Sequence, residues 1–120
     1  MNKKTLVVGA SPKPNRYSYE AVVRLKLHKH DVYAFGLREA DIMGTPIKTE
    51  WPEDELFDTV TLYLNPKRQA EFYERIIALK PKRVIFNPGT ENAEFEKMLL
   101  NSGIQVEEAC TLVMLSIGNY

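Results

Sequence analysis

The chain opens with the segment Thr5-Leu-Val-Val-Gly-Ala-Ser-Pro-Lys-Pro-Asn-Arg-Tyr-Ser18, in which a strand, a loop and a helix start follow one another. Thr5–Val8 is an apolar, β-branched run of strand length, and Gly9 ends it where the chain must turn sharply. Two prolines then exclude regular structure, and Ser18 is a favourable N-cap for the helical apolar pattern that begins shortly after it. In an open α/β sheet, this junction places backbone N–H groups and the positive end of a helix dipole where anionic ligands bind.

The side chains of this loop suit a phosphate or a pyrophosphate. The loop carries two cations and several neutral donors, namely Ser11, Lys13, Asn15, Arg16 and Ser18. The alternative for Lys13 and Arg16 is that they are ordinary solvated loop charges. The loop has only one of the three glycines of G-x-G-x-x-G and lacks G-x-x-x-x-G-K, which disfavours a nicotinamide dinucleotide and a P-loop nucleotide.

The same residues resemble the opening signature of the small, stand-alone CoA-binding proteins, which are Rossmann-type domains similar to the CoA-binding domain of succinyl-CoA synthetase. The matching residues are Val7-Val8-Gly9-Ala10-Ser11-x-Lys13-Pro14-x-Arg16-x-Ser18. Further along, Ile42-Met43-Gly44 resembles the family's Ile-Leu-Gly, Phe57-Asp58-Thr59-Val60 resembles its Val-Asp-x-Val, and Cys110 falls where the family often has a cysteine. The resemblance implies coenzyme A (CoA) or an acyl-CoA as the ligand. It implies ligand contacts from Gly9, Ala10, Ser11, Lys13, Pro14, Arg16 and Ser18.

The second predicted strand, Val32–Phe35, ends near a basic residue. An NAD-binding unit would have an acidic residue at this end of the strand, but Asp31 lies at the other end. Arg38 follows instead, as in sites that accept a phosphorylated ribose, and CoA carries a 3′-phosphate on its ribose. A solvated Arg38 is the alternative. The family commonly has Val-Asn-Pro where this chain has Phe35-Gly36-Leu37, so the sequence departs from the family at this position.

Two further loops are expected at the same edge of the sheet. Asn65 and Lys67 follow the predicted third strand, where both could reach a ligand, although Asn65 could equally cap the next helix. Gly89 follows the fourth strand and allows a close backbone approach. The segment from Cys110 to Ile117 is too apolar to be free of contacts. We expect it to form a short helix or strand packed near the nucleotide site or against another subunit.

The pattern of the whole chain predicts an α/β, three-layer Rossmann-like fold with helices on both faces of a five-stranded parallel sheet in the order 3-2-1-4-5. The region between Glu39 and Asp58 is irregular and is not expected to contribute strands. Helices are expected over residues 19–29, up to 79 after Pro66, and over 93–101. The remaining strands are expected over 59–64, 83–86 and 104–107.

Size and composition are typical of one small domain covering residues 1–120. Sixteen basic and sixteen acidic residues give zero net charge, so no global charge directs the protein to nucleic acid or to an anionic membrane. The single cysteine cannot form an internal disulfide, and there is no apolar segment long enough to span a membrane. These features indicate a cytoplasmic protein.

The residues show no catalytic constellation, so we expect a CoA-binding protein that is not an enzyme. Cys110 has no histidine and acid partner in the sequence pattern. His28 and His30 lack further metal ligands nearby and are expected at the surface. The first alternative is a dinucleotide-dependent oxidoreductase that uses NAD(P). The second is a regulatory or partner subunit that has lost CoA binding.

Overall fold

Seven strands form one mixed sheet in the computed structural model, which describes residues 2–120. The strands are β1 Thr5–Val8, β2 Val32–Phe35, β3 Ala40–Ile42, β4 Thr45–Lys48, β5 Thr59–Leu62, β6 Arg83–Phe86 and β7 Gln105–Glu108. Their order is β3-β4-β2-β1-β5-β6-β7, and all neighbours are parallel except β3 and β4. Without β3, the six parallel strands numbered along the chain have the order 3-2-1-4-5-6. This is the order of dinucleotide-binding Rossmann domains.

The predicted sheet of five parallel strands in the order 3-2-1-4-5 is therefore wrong in strand number and order. The region between Glu39 and Asp58 contributes the hairpin β3–β4, and β4 takes the place beside β2 that was predicted for the strand at Thr59. β5 lies instead on the other side of β1. The sequence did not predict the hairpin, because its strands have only three and four residues and β4 contains Pro46.

Helices cover both faces of the sheet, as the sequence predicted. They are α1 Tyr17–Leu27, α2 Pro66–Gln69, α3 Tyr73–Leu79, α4 Ala93–Asn101 and α5 Thr111–Ile117, with a 3₁₀ turn at Ala70–Phe72. The helix expected up to Leu79 is thus interrupted by that turn. Asn65 and Asn92 cap α2 and α4, because their side-chain oxygens accept from the N–H groups of Arg68 and Phe95. None of the helices in residues 2–120 has the length and apolar character needed to cross a membrane.

Two apolar layers hold the helices against the sheet. Alternate residues of each strand face opposite layers, so Leu6 and Val8 contact the layer that includes α3 and α4. Val7 contacts the layer formed with α1 and α5. The segment from Cys110 thus forms a helix that packs beside α1, while Val113 and Ile117 on it remain exposed. A contact of this helix with another subunit stays a prediction.

His30 is buried, and the expectation of a surface position for it was wrong. Its side chain is 8% exposed, its Nδ1 accepts a hydrogen bond of 2.9 Å from the backbone N–H of Lys3, and its ring lies 5.0 Å from that of Tyr120. Burial lowers the pKa of His30, and the cations Lys3 and Arg83 nearby act in the same direction. His30 is therefore neutral in the fold at neutral pH, since the accepting nitrogen carries no proton.

Acidification is expected to destabilise the fold through His30. The pKa of an unfolded histidine is about 6.5, and because the folded pKa is lower, the unfolded chain binds the proton first as the pH falls. Stability is thus lost as the pH drops below about 6.5 towards the folded pKa.

The His30→Gln variant keeps an acceptor for Lys3 without a titrating group, so its unfolding free energy should fall less steeply with acidification. Denaturant titrations over this range test this, with His28→Gln as the control. If the unfolding free energies of the wild type and of His30→Gln fell equally steeply with pH, the expectation would be contradicted.

Candidate ligand-binding cleft

A cleft of about 520 Å³ lies at the carboxyl ends of four adjacent strands. Its lining residues are 9–13 and 16–18 after β1, 35–38 at and after the end of β2, 63, 64, 68, 71 and 72 after β5, and 88 and 90 after β6. In an open parallel sheet of this order, loops diverge at such an edge and leave a crevice between them. The strand order thus creates the cleft from segments that are far apart in sequence.

Seven of the ten predicted ligand-binding residues line this cleft. They are Gly9, Ala10, Ser11, Lys13, Arg16, Ser18 and Arg38. Pro14, Asn65 and Gly89 do not belong to the lining. Asn65 caps α2 through a 3.0 Å hydrogen bond from the N–H of Arg68, and the N–H of Gly89 donates to Glu91 at 2.9 Å.

The loop after β1 is tied to the end of β2 and to the start of α1. The N–H groups of Gly9 and Ala10 both donate to the carbonyl oxygen of Phe35, at 3.0 and 2.9 Å. The N–H of Ser11 donates to Oγ of the buried Ser18 at 3.1 Å. Ser18 therefore holds the loop and is not the N-cap that was predicted. The N-cap position belongs to Arg16, whose side chain makes no capping hydrogen bond.

The first turn of α1 offers backbone donors to the cleft. The N–H groups of Tyr17 and Ser18 have no hydrogen-bond partner within residues 2–120. Both residues line the cleft, and they lie at the positive end of an eleven-residue helix. These donors suit an anion such as a phosphate.

Gly36 lets the first loop approach the end of β2. A Cβ atom at position 36 would lie 2.5 Å from the carbonyl oxygen of Ala10 and 2.9 Å from Cγ2 of Ile47. No side chain fits in that space without moving the loop backbone. Gly36, at which the sequence departs from the family pattern, thus allows the loops after β1 and β2 to pack closely.

Four basic side chains surround the cleft without an ionic partner among residues 2–120. Lys13, Arg16, Arg38 and Arg68 form no ion pair and no side-chain hydrogen bond with any part of the chain that the structure describes. Glu71 is the one acidic residue of the lining. Since the whole chain has zero net charge, this local excess of positive charge makes the cleft suited to a polyanion.

Sequence reasoning missed Arg68 and selected its neighbour Lys67, which does not line the cleft. The start of α2 did indicate that Arg68 lies near the sheet edge. Asn65 is the N-cap, so Arg68, the third residue after it, lies on the first turn of the helix. Which of two adjacent cations faces the cleft depends on the rotation of the short helix, which is set by tertiary packing.

Three of the five lining residues after β5 form an apolar wall of the cleft. Leu64 and Phe72 line it, and behind it the Phe72 ring stacks on Trp51 with 5.5 Å between centroids. Trp51 does not line the cleft and serves packing. Tyr63 also contributes to the wall, and burial raises the pKa of its hydroxyl to about 12, so that it stays neutral. This part of the cleft suits a neutral portion of a ligand.

Solved structures of other proteins share this fold. A protein described as uncharacterized, for which a crystal structure exists, is 51% identical, with a TM-score of 0.96 and coverage of 100% of this chain and 99% of that chain. A hypothetical protein from Pyrococcus horikoshii OT3 is 27% identical, with a TM-score of 0.87 over 97% of this chain and 83% of that chain. Cell-free ID.343 from Thermus thermophilus shares the fold at 23% identity, with a TM-score of 0.84 over 98% of this chain and 91% of that chain.

No curated protein matches the chain significantly. The family described as CoA binding domain, in contrast, matches residues 3–116, which is almost the whole length. This match confirms the resemblance that the loop after β1 indicated. The chain therefore belongs to the CoA-binding domain family.

Proposed function

We propose that this protein binds CoA or an acyl-CoA in the cleft at the carboxyl edge of the sheet. The observation that supports this most strongly is the set of four basic side chains without ionic partners among the described residues. CoA carries a pyrophosphate and a ribose 3′-phosphate, so its charge is concentrated in one half of the molecule. The lining has cations after β1, β2 and β5, and it also has the apolar side chains Leu64, Phe72 and Pro88, which suit the uncharged half.

Each phosphate group has a preferred place in this proposal. The pyrophosphate meets Lys13, Arg16 and the backbone N–H groups at the start of α1, because a helix N-terminus and cations act together there. The 3′-phosphate meets Arg38, which follows β2 on the side where a Rossmann domain binds the ribose.

The proposed activity is binding and not catalysis. The lining contains two serines, Ser11 and Ser18, and both hydroxyl groups accept hydrogen bonds within the loop. Ser18 Oγ accepts from the backbone N–H of Ser11, and Ser11 Oγ accepts from the backbone N–H of Lys13. The lining residues of the described chain include neither histidine nor cysteine that could activate a nucleophile. A binding or carrier role therefore agrees better with these side chains than a chemical step does.

CoA is expected to raise the melting temperature, whereas NAD is not. A ligand at one hundred times its dissociation constant stabilises the fold by about 2.7 kcal/mol, which corresponds to a shift on the order of 10 °C for a domain of this size. NAD lacks the ribose 3′-phosphate of CoA, and the loop lacks the glycines that admit a dinucleotide. A thermal melt with each ligand tests this expectation.

Two outcomes would contradict the proposal. An equal or larger shift with NAD or NADP would favour the dinucleotide-dependent oxidoreductase. No shift with any nucleotide, together with a stable complex with another protein, would favour a regulatory subunit that has lost CoA binding.

A further inference from the structure

A buried glutamine joins two of the loops that form the cleft. Gln69 is the last residue of α2, its side chain is 1% exposed, and it does not belong to the lining. Its Nε2 donates two hydrogen bonds of 2.8 Å, one to the carbonyl oxygen of Leu64 after β5 and one to that of Thr90 after β6. Leu64 and Thr90 both line the cleft. One amide group therefore links the loops that follow two adjacent strands.

The two carbonyl oxygens depend on this amide. Those of Leu64 and Thr90 accept no other hydrogen bond from residues 2–120. A carbonyl group that is removed from water without a donor costs free energy, so the fold favours the loop positions in which both reach Gln69. An apolar side chain of similar length at position 69 would leave both oxygens without a donor, and the loops would shift until water reaches them.

Asn92 fixes the orientation of the Gln69 amide. Its Nδ2 donates to Oε1 of Gln69 at 2.9 Å and to the hydroxyl of Tyr73 at 2.7 Å, while its Oδ1 accepts from the N–H of Phe95 in α4. Since a carbonyl oxygen can only accept, the end of the Gln69 amide that faces two of them is its NH₂ group. Both donors and the oxygen of this amide are thus engaged.

Building on the proposed CoA binding, we infer that Gln69 is a positioning residue that holds the loops after β5 and β6 at the separation the ligand requires. It does not touch the ligand and acts through the backbones of Leu64 and Thr90. Because the two loops are joined before the ligand arrives, binding does not have to order them, which raises the affinity. Asn92 acts on the cleft in turn through Gln69.

Gln69→Met tests this role, because methionine has a similar length and cannot donate to the two carbonyl oxygens. The variant should bind CoA about tenfold or more weakly in calorimetry. Leu99→Val is the control, since Leu99 is fully buried in α4 and outside the lining, so that its substitution lowers stability but should leave the CoA affinity unchanged. Both proteins are titrated well below their melting temperatures. Wild-type affinity in folded Gln69→Met would overturn the inference.

A second variant tests whether Asn92 acts through Gln69. Asn92→Ser keeps a neutral N-cap for α4 but loses the donor to Oε1 of Gln69. It should weaken CoA binding, and the double variant with Gln69→Met should bind CoA within about twofold of Gln69→Met alone. If the two losses of affinity multiplied instead, each residue would contribute separately to the fold, and the inference would be wrong.

Hydrogen exchange measures the joining of the loops without any ligand. The backbone N–H groups of Arg68 and Thr90 are each hydrogen-bonded within their own loop, and both should exchange faster in Gln69→Met than in Leu99→Val. Equal exchange in the two variants would contradict the positioning role. Failure of the unsubstituted protein to bind CoA would contradict the proposed function, and the exchange rates would still decide whether Gln69 holds the loops.

Discussion

Gly36→Ala is expected to lower the affinity for CoA by about tenfold or more, because the added methyl group displaces the loop that we propose binds the phosphates. Its carbon would lie 2.5 Å from the carbonyl oxygen of Ala10, a contact that the backbone must relieve by moving. The hydrogen bonds from Gly9 and Ala10 to Phe35 would stretch with that movement. Overpacking of this kind also costs about 1–3 kcal/mol of stability.

Calorimetry on the folded variant separates the two effects of Gly36→Ala. The protein is first shown to be folded by its melting curve, and CoA is then titrated to saturation well below the melting temperature. Wild-type affinity in a folded Gly36→Ala protein would show that the position of this loop does not govern CoA binding.

Gly9→Ala is expected to destabilise the fold more than Gly44→Ala, although the two glycines have nearly the same backbone angle. Their φ values are +95° and +94°, so either substitution incurs the left-handed penalty of about 1–2 kcal/mol. A Cβ at Gly9 would lie 2.9 Å from Cδ2 of Leu64 and 3.2 Å from the backbone carbon of Tyr63, while nothing lies within 4 Å of that atom at Gly44. The difference between the variants should therefore be about 1–3 kcal/mol.

Denaturant unfolding of both variants measures this difference, and CoA titration provides a second comparison. Gly44 lies in the β3–β4 turn and does not line the cleft, so Gly44→Ala should keep the wild-type affinity. Gly9→Ala should lose affinity, since Gly9 leads from β1 into the loop that is proposed to bind the phosphates. Equal losses of stability in the two variants would mean that close packing at Gly9 is not what requires glycine there.

The local elements of this fold were predictable where a short stretch carried its own signal. The apolar run before Gly9 formed β1, and the helical pattern after Ser18 formed α1. Asn65 caps α2, which was the alternative to its expected ligand contact, and Asn92 caps α4. A cap needs only a side chain and the N–H group three residues later, so both participants lie in the same short segment.

The hairpin β3–β4 shows where a local signal was too weak. Met43 and Gly44 join the strands, and both have positive φ, as a tight two-residue hairpin requires. Methionine is an unusual residue for such a turn, and Pro46 interrupts the strand pattern. The hairpin added a strand beside β2, so the one local error also produced the error in strand order.

Other positions could not be assigned without the fold, because their partners are distant in sequence. Ser18 reads locally as an N-cap, yet its hydroxyl accepts from Ser11 in the loop. His30 reads as a surface residue, yet Lys3 and Tyr120 enclose it from the two ends of the described chain. In both cases long-range packing outweighed the local preference.

The amino-acid pattern alone was enough to identify the family and its Rossmann-like fold, and to place Lys13 and Arg16 in the loop after β1, since these depend on consecutive residues whose local geometry is strongly preferred. The tertiary structure decided which side chains share the cleft. It brought Arg38 and Arg68 to the same cleft, excluded Lys67 and Asn65 from the lining, and placed Gly36 against Ala10. These relations depend on strand order and helix rotation, which arise from burying the apolar faces of distant segments together and leave no mark in any short stretch of sequence.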